Sequence, residues 1–134
     1  MPIRTKGDMT PRSKSQSHGP LPETLLPLKA VEALMMTMLA AGERHGYGIR
    51  QDILEHSGGK IELEAGTLYR HVRRLESTGL IEASSQRRDA ADDERRIYYR
   101  LTPFGRRVLA AEMLRLRELV QLAESRRIIT PTRA

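Results

Sequence analysis

The chain has 134 residues, a formal net charge of +6 and a sequence pI near 10.2. That length suits one domain with tails, and the basic balance favours a polyanionic partner, nucleic acid before an anionic membrane surface. With no cysteine, four Tyr, one Phe and no Trp, the composition excludes disulfides, thiolate nucleophiles and cysteine metal sites, and argues against a base-stacking single-strand binder.

Residues 1–27 read as a disordered basic tail. Pro2, Pro11, Pro20, Pro22 and Pro27 are mixed with Ser, Thr, Arg4, Lys6, Arg12 and Lys14, and no apolar periodicity appears before Leu25. Such an arm can follow a DNA backbone or stay solvated. It contains no apolar stretch of the kind a secretory signal needs. The first helix is predicted over Leu28–Ala41, where Leu28, Val31, Leu34, Met35, Met38 and Leu39 fall on helical spacing. Ala33, Met36 and Ala40 widen the apolar surface beyond one stripe, so this helix is expected to be buried on most sides, a partner subunit covering Leu34 and Met38. It is far shorter than the roughly 20 apolar residues of a membrane span, which leads to the expectation of a cytoplasmic, nucleoid-associated protein with no membrane partner.

Residues 42–46 read as a break. A second helix is predicted over Tyr47–Ser57 and ended by Gly58-Gly59, a third over Ala65–Thr78 and stopped by Gly79. Two strands follow, Leu80–Ser85 and Arg96–Leu101. The second sets Ile97, Tyr99 and Leu101 on one face and Arg96, Tyr98 and Arg100 on the other. Thr102-Pro103 then opens a last helix running to about Ser125, with Thr as N-cap and Pro at the first helical position. Residues 128–134 should fray. The fold class is mainly α with a small β-hairpin. The order of elements is a winged helix-turn-helix over 28–102, followed by a dimerisation helix over 103–127.

On a wheel of about 100° per residue, Ala65, Leu68, Val72 and Leu75 of the third helix face the core. Gly66, Thr67, Arg70, Arg73, Arg74 and Ser77 gather on the opposite side, with Tyr69 and His71 on the flanks and no acid among them. Arginine can pair with guanine O6 and N7 or with phosphate, and Thr67 sits at a helix start, where backbone N–H groups favour phosphate. A solvated basic face is the plainer alternative. Tyr69 can meet the DNA backbone or pack against Tyr47, and His71 can donate to DNA or be half buried. Between the strands, Arg87, Arg88, Arg95 and Arg96 bracket an acidic centre. They can neutralise phosphate or form a salt-bridge ladder of little worth in water. In the last helix, Leu109, Met113, Leu116, Val120 and Ala123 are spaced four, three, four, three, the pattern of helices that pair along their length. The alternative is packing back onto the same domain.

Four blocks in this order resemble the PadR family of bacterial winged-helix regulators. They are His45-Gly46-Tyr47-Gly48-Ile49; Gly66-Thr67-Leu68-Tyr69; Arg74-Leu75-Glu76 with Gly79-Leu80-Ile81; and Arg96-Ile97-Tyr98-Tyr99-Arg100-Leu101-Thr102 followed by Gly105. The resemblance covers about 28–122 and fits the smaller subgroup with one C-terminal helix. It implies a homodimer that binds double-stranded operator DNA through the third helix and the wing, and repression relieved by a small molecule or a stress signal. Glu64, Ala65 and Arg70 depart from the family's usual Ser-Pro before the Gly-Thr-Leu-Tyr block and Pro after it. The lack of Trp rules out the tryptophan sandwich with which some small members hold flat drugs. His18, His45, His56 and His71 make no metal-ligand pair, and no phosphate loop or nucleophile elbow is present. The expectation is a regulator with no catalytic, cofactor or metal site. A winged-helix protein-interaction module and a non-specific nucleic-acid binder are the other readings.

Overall fold

The computed structural model describes residues 21–84 and 97–131. Four helices and three short strands follow one another as α1 (Ala30–Ala40), β1 (Arg44–His45), α2 (Gly46–His56), α3 (Ala65–Ser77), β2 (Ile81–Ser84), β3 (Tyr98–Leu101) and α4 (Pro103–Ser125). The strands form one antiparallel sheet in the order β1-β3-β2. In β2–β3, Ile81 faces Leu101 and Ser84 faces Tyr98. In β1–β3, His45 faces Tyr98 and Arg44 faces Tyr99.

The apolar pattern of α1 explains its central place. Met35 and Met36 are wholly buried, Ala33, Met38 and Leu39 nearly so, and the core closes around them with Ile49 and Ile53 of α2, Leu68, Val72 and Leu75 of α3, and Val108 and Leu109 of α4. The third helix ends as its sequence predicts. Gly79 takes φ 78° and donates to the Glu76 carbonyl, while the Leu80 N–H reaches back to Leu75 at 2.9 Å. This closure turns the chain into β2 and buries Leu80. Thr102 caps α4 by accepting from the Gly105 N–H at 2.8 Å, with Pro103 in the first turn.

Several expectations need correction. The tail does not extend to Pro27: Pro22–Leu25 form a 3-10 turn, and Leu25, Leu26 and Leu28 pack against the core. Three leucines within four positions outweigh the flanking prolines. Residues 1–20 lie outside the described residues. The break at 42–46 contains β1, two residues long and too short to show alternation. It adds a third strand to the hairpin. Its His45 ring meets Tyr98 edge-on at 5.1 Å, so Tyr98 is buried together with Tyr99 although alternation sets them on opposite faces, and Ile97 is 52% exposed just before β3 begins. Beyond α4, Arg127 at φ 62° allows the Ile128 N–H to bond Ala123 at 2.9 Å, so the helix ends in a closed turn, not by fraying at Ile128. Residues 132–134 lie outside the described residues.

Candidate nucleic-acid interface

The third helix is held by one stripe. Leu68, Val72 and Leu75 are at most 1% exposed, and most of the face opposite them is left to solvent. Gly66, Arg70, Arg73, Arg74 and Ser77 are exposed and Thr67 is half buried. Ala65, expected inward, is exposed too, because the first turn projects past the core. Glu64 makes no side-chain cap, so the N–H groups of that turn have no acceptor from it. Arg50 of α2 fixes the approach to the helix by donating from Nε to the Leu63 carbonyl at 2.7 Å. Arg44 in turn donates to Asp52 across the start of α2.

The exposed cations are not equivalent. Among the described residues Arg70 and Arg73 make no hydrogen bond or ion pair, whereas Arg74 Nε lies 3.1 Å from Glu32 Oε2. His71 Nδ1 donates to the same carboxylate at 2.7 Å, which sets His71 against α1 and away from the centre of the basic face. Ser77 donates its hydroxyl to the Arg74 carbonyl at 2.9 Å, so it serves the helix end. Tyr69 packs over the first turn of α2: a Cβ on Gly46 would overlap its phenol oxygen. Two of the blocks quoted above therefore meet in space, with Tyr69 lying against Gly46. Burial raises the Tyr99 phenol above its ordinary pKa; Glu76 and Tyr69 add to the shift and Arg73 opposes it. Arg87, Arg88, Arg95 and Arg96 lie outside the described residues.

Of the residues expected at a dimer interface, Met38 and Leu109 belong to the chain's own core, at 9% and 8% exposure. Leu34, Met113 and Leu116 line an apolar groove of about 450 Å³ between α1 and α4. Val120 is exposed and Ala123 half buried farther along α4, where Leu114, Leu119 and Leu122 are exposed as well. The repeat thus turns inward at its first position and stays at the surface for the rest. At the groove wall, Arg115 donates two 2.8 Å bonds to the buried Glu112. These bonds hold the Glu112 carboxyl below its ordinary pKa, against the opposing effect of burial.

Sequence reasoning missed Glu32 and Glu112. Each is a single acid in an apolar stretch, which is the one signal a sequence offers for a buried charge with a partner. On α2, Asp52, Glu55 and His56 bring possible ligand atoms within 4.8 Å of one another. Arg44 already engages Asp52, and His56 Nδ1 is bonded to the Asp52 carbonyl, so the cluster is accounted for within the fold. Among the described residues no helix is long and apolar enough to cross a membrane.

A helix-turn-helix pair followed by a β-hairpin, with a basic exposed face on the second helix of the pair, defines a winged-helix protein. Residues 35–111 match the Transcriptional regulator PadR-like family, and the chain belongs to that family. Among solved structures, it is 26% identical to a PadR family transcription regulator from Clostridium difficile R20291, covering 72% of this chain and 97% of that one with a TM-score of 0.62. A PadR family transcriptional regulator from Eggerthella lenta DSM 2243 is 29% identical, with 75% and 83% covered and a TM-score of 0.59. Bacillus subtilis PadR, solved in complex with operator DNA, shares the fold at 21% identity and a TM-score of 0.54, over 65% of this chain and 48% of that one.

Proposed function

We propose that this protein is a homodimeric transcriptional repressor that binds an inverted-repeat operator in double-stranded DNA, with α3 in the major groove. The observation that carries the reading is the exposed face of α3. Arg70 and Arg73 stand open opposite a fully buried Leu68–Val72–Leu75 stripe, on a helix about 20 Å long that a groove about 12 Å wide accepts. The operator complex of Bacillus subtilis PadR supports DNA as the partner. For the second copy, the support is the apolar outer half of α4 together with the groove lined by Leu34, Met113 and Leu116. A two-fold protein matches half-sites about one helical turn apart. The arginines of the wing add phosphate contacts in this reading, and the protein works in the cytoplasm, at the nucleoid.

Selection from random duplex DNA at about 0.15 M salt, where non-specific phosphate binding is weakened, tests the proposal. An enriched inverted repeat supports it. Retention without enrichment, lost smoothly as salt rises, points to a non-specific binder, and no retention points to a protein-interaction module.

A further inference from the structure

We infer that Glu32 is the positioning residue of the reading helix, and that Arg74 serves this contact and not the DNA. The inference rests on the proposal that α3 reads DNA. Glu32 is 2% exposed on a helix whose other buried side chains are apolar. A carboxylate there needs partners, and both of those the structure shows come from α3. His71 Nδ1 donates to Oε2 at 2.7 Å, and Arg74 Nε reaches Oε1 at 3.3 Å and Oε2 at 3.1 Å. These residues sit three apart and so share one flank of α3. The Leu68–Val72–Leu75 stripe fixes the depth of α3 but leaves apolar contacts that a small roll would preserve, since burial is non-directional. Directed bonds from one buried acid to two points on one flank set that roll. The roll decides where Arg70 and Arg73 point. Arg74 looks like a third reading arginine on a wheel; in three dimensions its guanidinium is turned to α1.

The wild-type protein is first used to select its operator. Affinities for that operator, for every single-base-pair variant of it and for a scrambled duplex are then compared among wild type, Glu32→Gln, Arg74→Met and the double variant, each checked by a cooperative thermal melt. Arg74→Met leaves the Glu32–His71 pair intact and serves if Glu32→Gln does not fold. The positioning role predicts that Arg74→Met lowers the operator-to-scrambled ratio by about tenfold, spreads the loss over several base pairs and leaves the salt slope unchanged. Glu32→Gln reproduces that pattern, and the double variant loses no more than either single. A salt slope reduced by about one for Arg74→Met means a phosphate contact, and a loss confined to one base pair means a base contact; either overturns the inference. So does a Glu32→Gln protein that keeps the wild-type ratio. If the wild type selects no sequence, the reading of α3 fails instead, which the first step reports on its own.

Discussion

Two glycines that look alike in the sequence have opposite meanings. Gly105 sits in the first turn of α4, where a Cβ would overlap the backbone carbonyl of Leu80, and the same carbonyl accepts from the Thr102 N–H at 3.1 Å. Gly105→Ala is expected to destabilise the fold by about 1–3 kcal/mol, seen as a lower melting temperature, because backbone and not a flexible side chain must give way. Gly66 has nothing within 4 Å of such a Cβ. Gly66→Ala is expected to leave stability unchanged or raise it by up to about 1 kcal/mol while weakening operator binding, since only DNA would approach that position closely. Glu112 supplies a pH signature. Its carboxyl titrates below the ordinary range, chiefly through the hydrogen bonds from Arg115. The stability from this pair is therefore present above the unfolded carboxyl pKa, about 4.3, and is lost as pH falls through the lower folded value. Melting curves between about pH 5 and pH 2 should show this loss in the wild type, and it should be reduced in Glu112→Gln.

At the scale of elements, the long periodic segments and the β2–β3 pair were legible, and the two-residue strand β1 was not. The predicted first, second and third helices and the last helix differ from α1, α2, α3 and α4 by at most two residues at either end, because apolar spacing, Gly79 and Thr102-Pro103 act locally. The strand β1 exists only through its pairing with β3, and two residues cannot announce a partner that lies in a distant part of the chain. The same limit hid the roles of Glu32 and His71, which are 39 positions apart. Amphipathic spacing also could not say which neighbour takes each turn of α4: Leu109 enters the core, while Met113 and Val120, at 40% and 45% exposure, do not. Leu116 is the position where the groove and the outer half of α4 join. Leu116→Arg should yield a monomer by light scattering and lower operator affinity by about a hundredfold, since linked binding of two half-sites is lost. An unchanged dimer mass would remove α4 from the interface.

For the molecule as a whole, the blocks that carried the family resemblance are places where elements touch. Gly46 lies under Tyr69, and Gly105 lies on Leu80, so the motifs record how α2 meets α3 and how α4 meets the turn after α3. They report the frame of the winged helix and say little about which base is read. In the proposed reading that specificity is assigned to Arg70 and Arg73, which make no hydrogen bond or ion pair among the described residues. The most direct test of the account is therefore to profile Arg70→Ala against every single-base-pair variant of the selected operator. The account predicts a loss of about 1–3 kcal/mol on the operator, with preference erased at one base pair in each half-site, symmetrically. A uniform loss on all sequences, or a change in only one half of the site, would contradict it.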